Sequence, residues 1–144
     1  RNINESKKNN IKIINSHTCF QTLSTKSSSY LIDVRTNPEW SFVGVPNLQS
    51  LQKKTICVSW NVYPNMEINV NFESEILESG INKKDAIFLI CRSGNRSSDA
   101  VEFLTSRGFT NCFNVKDGFE GEIGPNHQRS TINGWKYSRL PWKQ

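Results

Sequence analysis

Apolar residues in this chain gather into short, nearly unbroken runs, and the stretches between them carry helical spacing. Tyr30-Leu31-Ile32-Asp33-Val34 and Ala86-Ile87-Phe88-Leu89-Ile90 are the clearest runs. Strands that read this way are covered on both faces, as in a parallel sheet. Ile11 to Ile14, Thr55 to Val58 and Cys112 to Val115 are further strand candidates. A helix is predicted from Asn15 or Ser16 to about Leu23. Asn37-Pro38-Glu39 reads as a cap, a proline at the first helical position and a first-turn acid, opening a short helix with Trp40 and Phe42. Gly44 and Pro46 end it. Val70 to Ser79 is predicted helical, with Phe72, Ile76 and Leu77 on one face. Gly80 then takes the left-handed position and Ile81 folds back on Ile76. Ser98 to Arg107 is a further helix, with Gly108 and Phe109 repeating that ending against Leu104. Strands alternating with helices give an α/β fold, a parallel sheet with helices on both faces.

Lys26 to Ser29 and Trp60 to Met66 read as loops. Trp60, Tyr63 and Met66 are expected to pack within theirs, with the mouth of a pocket as the alternative. The chain from Gly118 onward is irregular, and Trp135, Leu140, Pro141 and Trp142 are expected to fold back over an edge of the core. His127 and Arg129 sit in a polar excursion that reads as an exposed hairpin, with reach to the site as the alternative. Residues 1–10 are polar and aperiodic, so a frayed N-terminus is expected before one domain spanning residues 11–144.

Composition narrows the function. The chain has 144 residues, 10% of them aromatic, and four Trp with eight Phe argue against disorder. No apolar run approaches the roughly 20 residues of a membrane-spanning helix. The net charge is +5, from 18 Lys and Arg against 13 Asp and Glu. That balance suits a small anionic substrate or an acidic partner and is too scattered for nucleic acid. Lys7-Lys8, Lys53-Lys54 and Lys83-Lys84 fall in separate loops and read as solvated surface. Cys19, Cys57, Cys91 and Cys112 include no Cys-x-x-Cys pair, and His17 lies far from His127, so neither a disulfide scaffold nor a zinc site is indicated. Cysteine usage of this kind fits a reducing, cytoplasmic setting. Phosphate-loop and dinucleotide-binding motifs are absent, so no nucleotide, flavin or metal cofactor is expected.

Cys91 stands apart from the other cysteines. It lies between a buried strand and a helix, beyond the carboxyl end of the strand, where open α/β sheets bind ligands. Arg92, Ser93, Gly94 and Asn95 follow, then Arg96 and Ser97. Successive loop amides form an anion-binding nest, the helix start adds partial positive charge, and two arginines add full charges. Each favours a thiolate, and a thiolate is the nucleophile. Gly94 supplies a backbone free to adopt positive φ. Cys19, Cys57 and Cys112 lack such surroundings and read as core or boundary thiols.

These residues carry a resemblance. Leu31-Ile32-Asp33-Val34-Arg35, Ile90 to Ser97, Asn114-Val115-Lys116-Asp117-Gly118-Phe119, and the closing Gly134-Trp135 and Leu140-Pro141-Trp142 are similar to single-domain rhodaneses, bacterial members among them. That resemblance covers about residues 11 to 144 and implies a rhodanese-like fold. It also implies sulfur transfer, from a small anionic donor such as thiosulfate to cyanide, a thiol or a protein acceptor, through a persulfide on Cys91. It places Arg92, Ser93, Gly94, Asn95, Arg96 and Ser97 around the bound sulfur. Arg92 and Arg96 are both candidates to hold the donor's sulfonate, and Arg96 is also a candidate to tie the loop down. Asp33 and Arg35 match the family's Asp-x-Arg element, support the site structurally, and have two available partners, the loop or each other. Many members carry a His-containing Gly-His-Ile-Pro-Gly-Ala stretch where this chain has Val43-Gly44-Val45-Pro46-Asn47-Leu48.

Two other readings use the same fold. Related cell-cycle phosphatases also pair a Cys with an Arg, but on a longer loop than the six residues from Cys91 to Arg96. The shorter loop favours sulfur over a tetrahedral phosphate. A non-catalytic sulfur carrier or protein-binding module is the other alternative, and the intact Cys91 argues against an inert one.

Overall fold

The computed structural model describes residues 11–144, and the expectation for residues 1–10 lies outside the described residues. In chain order the elements are β1 (Ile13–Ile14), α1 (Ser16–Thr25), β2 (Ser29–Asp33), α2 (Asn37–Phe42), β3 (Val45–Pro46) and a 3₁₀ turn at Gln49–Leu51. Next come β4 (Ile56–Cys57), β5 (Asn61–Val62), β6 (Glu67–Ile68), α3 (Phe72–Glu78), β7 (Ala86–Ile90), α4 (Asn95–Ser106), β8 (Cys112–Val115) and β9 (Trp142–Lys143). The central sheet has five parallel strands in the order β1-β8-β7-β2-β4.

The continuous apolar runs are the middle of this sheet. All five residues of β7 are buried, because both its faces are covered. Ile87 and Leu89 pack with Phe72 and Ile76 of α3 and with Ala100, Val101 and Leu104 of α4. Ala86, Phe88 and Ile90 point the other way, toward Cys19 and Leu23 of α1 and toward Phe119 and Trp135. The strand period of two therefore splits the core into two layers. Both predicted left-handed glycines form, with φ +97° at Gly80 and +94° at Gly108; the Phe109 amide donates to Leu104 O at 3.0 Å, whereas at the other ending the Gly80 amide donates to Leu77 O at 3.1 Å and Ile81 joins Ile76 in the core.

Several boundaries move from their expected places. Thr36, not Asn37, caps α2, and Glu39 accepts from the Thr36 amide at 3.2 Å and its hydroxyl at 3.0 Å. The helix predicted from Val70 begins at Phe72. The Asn69 carboxamide accepts from the Asn71 amide at 2.9 Å, and that local turn holds the chain out of the helix. Leu77 is 40% exposed, since it lies one step round the helix from the Phe72–Ile76 stripe. The loop expected after Trp60 is an antiparallel pair, β5 with β6. Trp60 itself is core, edge-on to Phe72 with centroids 5.1 Å apart, whereas Tyr63 and Met66 are exposed.

The C-terminal segment folds back on the core, on the α1 side of the sheet. Trp135 is fully buried in the α1 layer, and its indole N–H donates to Pro141 O at 2.8 Å. The chain then runs antiparallel along β3 as β9, so Trp142 lies over Gly44. Lys53 is not simply solvated. Its ammonium donates to Lys26 O, Ser29 O and Ser29 Oγ at 2.8, 2.9 and 2.8 Å, pinning the start of β2. The cavity beside it, about 630 Å³, opens at the end of β2 opposite Cys91, so its size does not mark the chemistry.

Candidate active site

Cys91 leaves the carboxyl end of β7 and is 1% exposed. Its Sγ accepts from the Gly94 amide at 3.1 Å and from the Ser97 hydroxyl at 3.2 Å. Helix α4 starts at Asn95, three residues before the expected Ser98, so Arg96 and Ser97 stand in its first turn. Gly94 is the cap, with φ +105°, a conformation open to glycine at little cost. Two donors on one buried sulfur, at the positive end of a twelve-residue helix, stabilise an anion there.

The loop is held from behind. The Phe119 amide donates to Cys91 O at 2.8 Å, and the Glu120 and Gly121 amides donate to Arg92 O at 2.9 and 3.1 Å. Gly118 makes that approach feasible. A Cβ there would lie 2.5 Å from Cys91 O and 2.6 Å from Arg92 O. With its first two carbonyls turned toward the backing segment, the loop leaves the Gly94 N–H free to face the sulfur.

The two loop arginines have different surroundings. Arg96 donates from both terminal nitrogens to Glu39, at 2.7 and 2.8 Å, and both side chains are 20% exposed. Such a fork-to-fork pair fixes orientation as well as charge. Burial pushes the Glu39 carboxyl up, but the Arg96 bonds and charge, with those of Thr36, outweigh it and hold it at about 2. Arg96 in turn has its pKa raised, first by the Glu39 bonds, against burial, with smaller help from Cys91 and Asp33. Arg96 therefore ties the loop to α2. Arg92 is exposed and, among the described residues, makes no ion pair.

Of the two partners available to Asp33 and Arg35, the structure selects each other. Arg35 Nε and Nη2 donate to the two carboxylate oxygens at 2.9 and 2.7 Å, and both residues are fully buried. Arg35 Nη2 also reaches Gly44 O, and the guanidinium lies 4.4 Å over the Phe119 ring. The pair joins the end of β2 to the segment behind the Cys91 loop. Ser93 is half-buried and Asn95 exposed, beside a shallow groove of about 270 Å³. His127 is exposed, and Arg129 turns back to Gly121 O at 2.6 Å. Cys19 and Cys112 are buried and Cys57 is exposed on β4. Burial pushes the Cys112 thiol up to about 12.

Three contributors were not assigned a site role from the sequence. Glu39 had read only as a first-turn acid. Asn114 lies within a strand that is otherwise apolar on its buried side; its Oδ1 accepts from Ser97 Oγ at 2.5 Å, and its Nδ2 donates to Gly94 O at 3.1 Å. A polar residue inside an apolar strand is the signal that marks it, since a buried amide needs partners. Gly118 belongs to the segment that carries the family resemblance, but its contact with the Cys91 loop is not visible in the sequence. Among the described residues, no three His, Cys, Asp or Glu side chains gather as metal ligands, and no helix is long and apolar enough to cross a membrane.

Known proteins resemble this chain in sequence and in fold. The family model described as STR4 middle domain matches residues 11–144. An uncharacterised protein of Rickettsia conorii is 40% identical over 125 residues, covering 86% of this chain and 90% of its own. Among solved structures, Rv0390 from M. tuberculosis superposes with a TM-score of 0.83 at 38% identity, covering 92% of this chain and 97% of that one. The polysulfide-sulfur transferase homodimer of Wolinella succinogenes matches in fold, with a TM-score of 0.65 at 17% identity over 96% of this chain and 82% of that one. This chain belongs to the STR4 middle domain family, and its fold is rhodanese-like.

Proposed function

We propose that this protein is a sulfurtransferase that carries sulfane sulfur as a persulfide on Cys91. The observation that supports this most is the buried Cys91 Sγ, which receives the Gly94 amide and the Ser97 hydroxyl at the start of α4. In the first half-reaction the Cys91 thiolate attacks the outer sulfur of a donor such as thiosulfate. The Sγ–S bond forms, the donor's S–S bond breaks, and sulfite leaves with the electron pair. In the second, cyanide or a thiolate attacks the outer sulfur. The product takes that sulfur and Cys91 regains its thiolate. Negative charge sits in the loop at both stages, which is what preorganised donors stabilise.

Arg92 meets the incoming anion in this reading, with Ser93 and Asn95 at the rim, while Arg96 is committed to Glu39. An Arg held that way is also poorly placed to grip a phosphoryl group, which favours sulfur transfer over ester hydrolysis. A cytoplasmic location fits four cysteines that are all free. The test is thiocyanate formation from thiosulfate and cyanide. The wild-type protein turns over and Cys91→Ser does not. Equal turnover by the two proteins overturns the proposal.

A further inference from the structure

Ser97 has one hydroxyl proton and two acceptors. Cys91 Sγ lies at 3.2 Å and Asn114 Oδ1 at 2.5 Å, and the three residues are buried together. One O–H cannot serve both acceptors at full strength. The Asn114 amide has no freedom to avoid the competition, because its Nδ2 is engaged by Gly94 O at 3.1 Å. That bond fixes which end of the amide faces Ser97. Gly94 is also the residue whose amide meets Sγ, so the contacts close a ring through Cys91, Gly94, Asn114 and Ser97.

We propose that Asn114 is a positioning residue that competes with Cys91 for the Ser97 proton, so that the hydroxyl reverses direction as the charge on Sγ changes. With Cys91 as a thiol, S–H donates to Ser97 Oγ and Ser97 donates to Asn114. When that thiol proton leaves to solvent, the hydroxyl turns to the thiolate and its bond to Asn114 is given up. Ionising Cys91 thus costs one buried hydrogen bond, and the thiolate stays more basic than its two donors alone would leave it. A more basic thiolate is the better nucleophile. The proposed sulfur transfer, on which the next step rests, sends the hydroxyl back. Once Sγ carries the outer sulfur it is a neutral bridging atom and a poor acceptor. The charge moves outward, and Ser97 returns its proton to Asn114.

Fixed charges surround this ring. Arg96 on α4 interacts electrostatically with Cys91 and is held by Glu39 of α2. Asp33 and Arg35 at the end of β2 are paired with each other. Arg92 is in the loop itself, Lys116 and Asp117 follow β8, and Glu120 lies on the backing segment. Substitutions at Ser97 and Asn114 leave all of these charges in place, so a change in Cys91 titration reports the uncharged contacts of this ring, and the double variant separates the hydroxyl from the Asn114 bond to Gly94 O.

The test is the pH dependence of Cys91 alkylation by iodoacetamide, read on the Cys91 peptide by mass spectrometry, so that exposed Cys57 does not interfere. Ser97→Ala removes a donor and raises the Cys91 pKa. Asn114→Ala frees the proton for the thiolate and lowers it. At a pH below the pKa each changes the thiolate fraction roughly 2- to 10-fold, in opposite directions. The Ser97→Ala/Asn114→Ala double variant behaves as Ser97→Ala alone, because Asn114 acts through the hydroxyl. Asn114→Leu, closer to asparagine in volume, repeats the downward shift if the alanine variant packs poorly. A pKa raised by both asparagine variants, or an Asn114 effect that persists without Ser97, overturns the proposal. This titration needs no sulfur donor, so a protein that fails to turn over thiosulfate can still show it.

Discussion

Removing the Glu39 carboxylate probes whether the Cys91 loop is anchored from α2. Glu39→Gln keeps the size of the side chain and loses the charge that Arg96 grips twice. Hydrogen bonds to charged groups contribute about 1.5–3 kcal/mol net, and the Thr36 cap that Glu39 shares adds about 1 kcal/mol, partly retained by glutamine. The change in Glu39 from its ordinary 4.5 to about 2 corresponds to about 3 kcal/mol by linkage. The two routes agree on a loss of about 2–3 kcal/mol, or a fall in Tm of roughly 6–12 °C for a chain of this size. The sign with pH follows from the depressed pKa. The contribution is fully present above pH 4.5 and disappears as pH falls toward 2. Urea unfolding of wild type and Glu39→Gln at a series of pH values from neutral to about 3 reads this directly. The gap between the two curves is constant near neutrality and narrows on acidification. A gap that does not change with pH, or no gap at all, refutes the ion pair as the loop's anchor.

Three further outcomes follow from the same geometry. Gly118→Ala places a methyl 2.5 Å from Cys91 O and forces the backing segment off the loop. Sulfur-transfer kcat/KM is expected to fall about 100-fold while the protein still folds, as circular dichroism and steady-state rates will show. Arg92→Ala raises KM for an anionic donor about 10-fold at low salt with kcat little changed, and the difference shrinks as ionic strength rises. Cys91→Ser keeps the fold and removes sulfur loading altogether, which thermal unfolding and turnover separate.

Much of this was written in the order of residues. The burial of Ala86 to Ile90 on both faces follows from a run with no polar position, and Phe109 returns to Leu104 because Gly108 is the residue that turns the helix end. The placement of Cys91 followed from the same logic, a Gly-containing loop between a buried strand and a helix. What stayed hidden depended on partners far apart in sequence. Glu39 and Arg96 are 57 positions apart, and nothing in either neighbourhood announces the other. Ser97 and Asn114 meet only because α4 packs on β8. Short two-residue pairs such as β3 with β9 carry too little periodicity to register. The cap of α2 shifted by one residue because Thr36 and Asn37 are both capable cap residues, and the reciprocal bonds with Glu39 decide between them.

The central claim is that Cys91 itself carries the sulfur. Intact-mass measurement before and after mixing with thiosulfate, on wild type and on Cys91→Ser, tests it most directly. The account predicts a gain of one sulfur atom on the wild-type protein alone, removed by cyanide with release of thiocyanate. A gain of the same size on Cys91→Ser, or a wild-type adduct that cyanide leaves in place, contradicts it.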